Sequence, residues 1–442
     1  MLGIICNYSL CWAVQLIQPE GLKRAIGVRK LAISGVNLTI GAGIFALPAT
    51  VAGYLGSASV LAYAVCAIVL SLVLLCFIEI GSKLTSTGGV YAYVGLAFGP
   101  YAGFLTNMLF VGFALGADAA VANVLTENLS VIIPVLKNPI WNTSLLIFIF
   151  TGIAAMNVIG IKQGIRLVEI ITLAKVLPLL FLILVGIFFI SPENLSWPAT
   201  EVFENFGEAS LILFFAFGGG IEATLNATGE IKDPARTIPR GVLLAAIAVF
   251  TIYISIQVVS QGILGNGLPA QGETPLVAVA ERIIGQSGSW LMVLGAAISC
   301  FGLISGDILA TSRLPYAAAR DGLLPKMMAK VHPRFATPYW AIIIYSAAGL
   351  ILSLSGGFRQ LAILSSAAIL LVYVGVILAA IKLRKLKSEN SFTIPGGLTV
   401  HILALGATVW FLSHLSRTEI VATVIFISFF SAVYYLYRSI KK

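Results

Sequence analysis

Charge is scarce in this chain: aspartate, glutamate, lysine and arginine together make up 10% of its 442 residues. Soluble domains carry roughly a quarter charged residues, so a water-facing surface around a chain of this length is out of reach. Histidine is scarcer still, at three residues, His332, His401 and His414. None belongs to an HExxH pair, and neither a GxSxG elbow nor a GxxxxGK[ST] loop occurs anywhere. The five cysteines, Cys6, Cys11, Cys66, Cys76 and Cys300, fall at no metal-ligand or redox spacing. These absences argue against a hydrolase, a metalloenzyme and an ATP-driven pump, and no cofactor or metal is expected.

What the chain has instead is apolar residues, 59% of the total, with a mean hydropathy of +1.01. Runs such as Val242–Val259 and Val176–Ile190 are too many to hide in one soluble core. A helix needs about 20 apolar residues to cross a bilayer. Twelve spans are expected, near 31–54, 58–80, 98–126, 142–160, 165–190, 208–228, 241–264, 287–312, 337–355, 359–382, 397–414 and 418–437. The net charge of +9 invites a nucleic-acid partner, but its distribution is topological. With these spans, 22 of the 27 basic residues fall on one side, while Lys137, Arg282, Arg359 and Arg417 fall on the other. Basic loops stay cytoplasmic, so both termini are expected in the cytoplasm of an integral plasma-membrane protein, the inner membrane if the source is bacterial. Residues 1–30 form a cytoplasmic segment that resembles neither a cleavable signal nor a lipidation site.

Two of these spans are interrupted. Leu211–Asn226 reads LILFFAFGGGIEATLN, with Gly218, Gly219, Gly220 and Glu222 in its middle, and Gly35–Pro48 breaks at Gly41-Ala42-Gly43. Each glycine costs about 1 kcal/mol of helix propensity against alanine. Non-helical backbone survives in a bilayer only where it lines a protein cavity. Interrupted segments in corresponding halves of a chain mark a transporter's binding site. Helix N-termini exposed by such breaks suit a carboxylate. Ionisable residues inside spans are functional candidates: Asp118, Glu169, Glu222 and Asp307 as acids, and Lys175 as the one base no loop can claim. Four carboxylates with one cation are tolerable only if some are protonated, hydrated or neutralised by cargo.

Four segments then resemble motifs of the amino acid–polyamine–organocation (APC) transporters. They are Thr39-Ile40-Gly41-Ala42-Gly43-Ile44-Phe45, Phe215–Glu222 (FAFGGGIE), Glu230–Pro239 (EIKDPARTIP) and Ala319–Pro325 (ARDGLLP). The resemblance runs from about residue 30 to 440, with the motifs in family order. It implies an all-α membrane protein of the leucine-transporter type with broken helices 1 and 6. Two inverted five-helix repeats, 31–190 and 208–382, would be followed by two further helices in 397–442. It implies an amino acid whose carboxylate rests on the amides of Gly41, Ala42 and Gly43. The amine would meet carbonyls near Thr39, Ile40, Ala216, Phe217, Gly218 and Gly219. Lys175 is similar to a fifth-span lysine that replaces a sodium ion in several relatives, and Glu222 to a glutamate implicated in gating. Ala42 departs from the family's common GSG and removes one hydroxyl.

The resemblance also puts Asp118 and Asp307 near the end of the pocket that receives the cargo's side chain, where two carboxylates suit a cation. The expectation is a secondary active amino acid transporter working by alternating access, proton-coupled or exchanging, sodium-independent, with cationic cargo slightly favoured. A neutral amino acid permease and a non-transporting sensor of the same fold are the alternatives. Its partners are the amino acid, protons and the lipid bilayer, without nucleic acid, as a monomer or homodimer. A channel is disfavoured because no filter-like repeat is present.

Overall fold

The computed structural model describes residues 24–84, 89–160, 165–196, 205–320, 322–385 and 392–440. Most of the N-terminal segment with Cys6 and Cys11, the turn at Ser86, Thr87 and Gly88, and Lys162, Asp321, Lys387, Lys441 and Lys442 lie outside them. The described residues form helices and no strand; the one isolated bridge pairs Ile26 with Ile231. The helices are α1 (Val28–Thr39), α2 (Gly43–Leu55), α3 (Ser59–Lys83), α4 (Gly89–Phe98), α5 (Pro100–Ile132) and α6 (Pro139–Ile159). They continue as α7 (Ile165–Gly186), α8 (Phe206–Phe217), α9 (Pro234–Leu264), α10 (Pro275–Ile284), α11 (Gln286–Thr311) and α12 (Arg313–Arg320). The last four are α13 (Tyr339–Ser355), α14 (Phe358–Leu383), α15 (Leu398–Leu412) and α16 (Arg417–Ile440).

Among the described residues, eight helical stretches are long and apolar enough to cross a membrane, including Gly43–Lys83, Pro100–Ile132, Pro234–Gly267 and Phe358–Leu383. Four apolar helices, α4, α8, α13 and α15, are shorter than a full span. Each stretch expected to span contains helix, interrupted at the two breaks, and the boundaries shift for local reasons. Asn138 caps α6 by accepting from the Ile140 N–H at 2.9 Å, and Pro139 follows at the first helical position. Gly160 ends the same helix in the left-handed conformation, φ 75°. Pro234 opens α9 seven residues before the expected start. Two helices were not anticipated: α4, which begins at Gly89, and α10, a ten-residue amphipathic piece in a connection. Both are too short for a window tuned to spans.

Both expected breaks are present. The chain leaves α1 after Thr39 and re-enters helix at Gly43; it leaves α8 after Phe217 through extended Gly218, ψ 161°. The second half of the later break differs from expectation. Glu222–Glu230 is a 3-10 segment, not an α-helix. Thr224 and Thr228 bond back to the carbonyls of Ile221 and Leu225, a competition that favours tight turns over α-helix. This segment ends on the first helix's approach: Ala25 and Ile26 donate to the Glu230 carbonyl at 2.9 and 3.0 Å, and Lys232 donates to the Ile26 carbonyl at 2.9 Å.

Around the breaks, α9 packs against α1 and α3, α14 against α5, and α11 against α5 and α7. α16 is nearly free of intramolecular cover, with Val421, Ile425 and Phe429 exposed, as expected of a lipid-facing helix. Glu79 lies a turn inside α3, 1% exposed, with Lys83 Nζ 2.9 Å away. α12 forms as an amphipathic helix, with Pro315, Ala318 and Ala319 buried and Arg313 and Arg320 exposed.

Glu273, in the connection between α9 and α10, has its carboxyl pushed up to about 7 by burial first and by Glu127 second. Between the ordinary carboxylate value and about 7 the folded chain keeps this proton while the unfolded chain sheds it. Stability therefore falls as pH rises through that window. Glu273→Gln is expected to raise the melting temperature at pH 8 and to leave it unchanged near pH 4. Identical behaviour of variant and parent at pH 8 would contradict this.

Candidate functional site

A small cavity opens between the two breaks. Of the residues singled out from sequence, Thr39, Gly41, Ala42, Gly43, Ala216, Gly218, Gly219 and Asp307 line it. The remaining wall comes from Leu38, Phe215, Leu303 and one stripe of α5, Phe113, Ala117 and Val121. That stripe runs at i, i+4, i+8 and so shares one helix face. Ser299, Leu303 and Asp307 repeat the spacing on α11, which aims that face at the first break.

Glycine is required where the breaks meet. Gly219 has φ 81°, and a Cβ on Gly220 would run into the Thr39 backbone and hydroxyl. The two breaks are thus pressed together closely enough to form one site from two distant segments. The first turn of α2 borders the cavity, and the N–H groups of an opening turn have no intrahelical acceptor.

The carbonyls released by the breaks are held by side chains. Lys175, 0% exposed on α7, donates to the carbonyls of Asn37 and Ile40, both at 2.8 Å. Ser299 adds a third donor, to the Ile40 carbonyl at 3.2 Å. Tyr253 of α9 lies between the two breaks, its hydroxyl 3.0 Å from the Thr39 carbonyl and 3.2 Å from the Ala216 carbonyl. Glu222 accepts from the Gly219 N–H at 2.6 Å and from the Tyr373 hydroxyl of α14, which itself lies 3.2 Å from the same N–H. Its second oxygen is buried without a protein partner.

Six residues singled out from sequence lie outside the lining. Ile40 contributes its carbonyl to Lys175, and Phe217 packs its ring against Tyr63, Phe250 and Tyr253. Lys175 and Glu222 brace the two breaks from behind. Asp118, 0% exposed, is one residue past Ala117 and so about 100° round α5 from the cavity. It accepts from the Tyr345 hydroxyl of α13 at 3.0 Å, and its other oxygen has no partner. Glu169 sits at the start of its span and is only partly buried. Among the described residues, no three His, Cys, Asp or Glu side chains gather to hold a metal ion.

Sequence reading missed Tyr253, Ser299, Tyr345 and Tyr373. The available signal was a hydroxyl deep in an apolar span, since buried tyrosines usually find a hydrogen-bond partner.

An apolar helical chain with a cavity walled by two broken helices has the architecture of a membrane transporter rather than an enzyme. Residues 26–436 match the family described as amino acid permease, and the chain belongs to that family, within the APC transporters. A methylthioribose transporter of Bacillus subtilis is 30% identical, over 95% of this chain and 94% of its own length. The serine/threonine exchanger SteT of Bacillus subtilis is 28% identical over 91% of this chain and 93% of its own. The vacuolar cationic amino acid transporter 2 of Arabidopsis thaliana is 27% identical over 86% of this chain and 63% of its own.

Tyr253→Phe removes the hydroxyl near two buried carbonyls. The expected cost is about 1–3 kcal/mol of stability, read as a lowered melting temperature in detergent. An unchanged melting temperature would mean that those carbonyls are satisfied otherwise.

Proposed function

We propose that this chain is a secondary active transporter of amino acids that prefers cationic cargo and needs no sodium. The observation that carries the preference is Asp307: among the described residues that line the cavity it is the one ionisable side chain, beside backbone, apolar groups and Thr39. It is partly buried, a carboxylate held within the membrane is costly unless paired, and an incoming ammonium or guanidinium supplies the partner. The cargo's carboxylate would rest on the amides of Gly41, Ala42 and Gly43. Its amine would meet the carbonyls of the Ile40 and Ala216–Gly219 breaks. Asp118, one layer behind, would add negative potential at the side-chain end and carry a proton in step with Tyr345.

The full topology belongs to the same proposal. Twelve spans would form two inverted five-helix repeats, 31–190 and 208–382, followed by two helices in 397–442. Both termini would be cytoplasmic, in the plasma membrane. The Lys175 ammonium, set on the Asn37 and Ile40 carbonyls, would occupy the place of a sodium ion and tie the first span to the eighth. Alternating access would then tilt the helices that carry the breaks against the rest. Glu222 would contribute to gating by holding the second break on α14.

A neutral cargo is the second reading. Phe113, Val121 and Leu303 make most of the side-chain wall apolar, and the relatives include one named for serine and threonine and one for methylthioribose. In that reading Asp307 only relays protons.

Purified protein in liposomes distinguishes them. Radiolabelled lysine uptake is expected to exceed alanine and methylthioribose uptake, to be driven by an inward proton gradient or by internal amino acid, and to be indifferent to sodium. Asp307→Asn is expected to lower lysine uptake at least about tenfold, the effect of 1.4 kcal/mol. Alanine or methylthioribose uptake matching lysine, with Asp307→Asn unimpaired, would overturn the cationic preference. Binding without flux would favour a sensor.

A further inference from the structure

α3 is fastened at its two ends to different parts of the molecule. Near its start, Ser59 accepts from the Gln257 side chain of α9 at 2.6 Å. Tyr63 meets the Phe217 ring of α8 edge-on at 6.0 Å, and Cys66 donates to the Ser210 carbonyl of α8 at 3.5 Å. That half of α3 therefore belongs with the helices that carry the second break and Tyr253.

The last turn belongs elsewhere. Glu79 is buried among three basic groups: Lys83 at 2.9 Å, Arg384 just past α14 at 3.6 Å, and His401 in the first turn of α15 at 3.5 Å. Lys83 also donates to the Arg384 carbonyl at 3.1 Å, and the Phe392 N–H donates to the Ser82 hydroxyl at 3.1 Å. His401 is completely buried, and its Nδ1 lies 3.1 Å from the Gly397 carbonyl. A carbonyl only accepts, so Nδ1 carries a hydrogen and Nε2 is the atom turned to the carboxylate. The charged groups that the described residues bring to this point thus come from α3, the end of α14 and the start of α15.

When the break-carrying helices move against α14 and α15, α3 cannot stay rigidly fixed to both. The strength of the two attachments decides which holds. Lys83 stays with Glu79 because both are on α3, but parting this turn from α14 and α15 takes Arg384 and His401 away from the buried carboxylate and the Arg384 carbonyl away from the Lys83 ammonium. Breaking up a buried charged network costs more than exchanging a neutral hydrogen bond and an aromatic edge contact. We infer that the Glu79 cluster is a fixed pivot: the last turn of α3 stays docked on the α14–α15 connection through the cycle, and α3 tilts about it. The helix is then a lever whose Ser59 end follows the breaks, rather than a member of a block that swings as one. This rests on the transporter reading.

The test is a cross-link that should do no harm. With Cys6 and Cys11 replaced by serine, Ser82→Cys and Phe392→Cys are joined by oxidation or a short bifunctional thiol reagent, and lysine exchange is measured in liposomes. A control joins Tyr54→Cys of α2 to Arg359→Cys of α14, at the other end of the molecule, where Arg359 lies 4.9 Å over the Tyr54 ring. The pivot cross-link is expected to leave exchange within about twofold of the reduced protein, because the step that sets the rate lies in the moving helices. The control is expected to stop exchange until it is reduced. Loss of exchange with the pivot cross-link, restored by reduction, would overturn the inference. A spin-label pair at Leu84→Cys and Leu398→Cys reads the same contact without flux. Its distance is expected to be unchanged by lysine while a Tyr54→Cys and Gln360→Cys pair shifts; a shift at the pivot pair would overturn the inference. Absence of flux in the unmodified protein would count against the transporter reading alone.

Discussion

Unpaired backbone in an apolar interior is the constraint on which the site depends. Opening two helices in their middles frees carbonyls that no water is at hand to satisfy, and each buried unsatisfied group is expensive. The chain answers with Lys175 and Ser299 at the Ile40 carbonyl and Tyr253 between Thr39 and Ala216. Glu222 and Tyr373 perform the complementary task at the Gly219 N–H. These groups come from α7, α9, α11, α14 and the segment after the break itself, so the positions of five separate elements follow from two short interruptions.

The same arrangement explains why so few polar groups face the cavity. Most side-chain donors and acceptors nearby are already committed to the freed backbone, leaving Thr39 and Asp307 as the polar side chains in the lining. Thr39 itself bonds back to the Gly35 carbonyl at 2.8 Å. Under the proposed function, recognition would fall to main-chain groups at one end and to a single carboxylate among apolar residues at the other. Such a site would discriminate by charge and length at Asp307 while treating the common amino acid end alike.

Both breaks were legible in the sequence because glycines in an apolar span contradict their surroundings. Lys175, Glu222 and Asp307 stood out for the same reason. Legibility failed where a helical face had to be known. Asp118 and Ala117 are adjacent in sequence yet point a quarter turn or more apart, and only Ala117 reaches the cavity. Tyr253 and Tyr345 hid among aromatic residues that pack without a polar task. Glu79 did not stand out because two of its partners, Arg384 and His401, lie far away in the chain. The 3-10 segment after the second break was legible only in hindsight, from threonines placed to bond their own backbone.

The most direct test of this account is a structure of the protein with lysine bound. The account predicts density between the two breaks, with the carboxylate on the Gly41–Gly43 backbone and the side-chain ammonium at Asp307. Lysine bound elsewhere, or bound there with its ammonium turned away from Asp307, would contradict it.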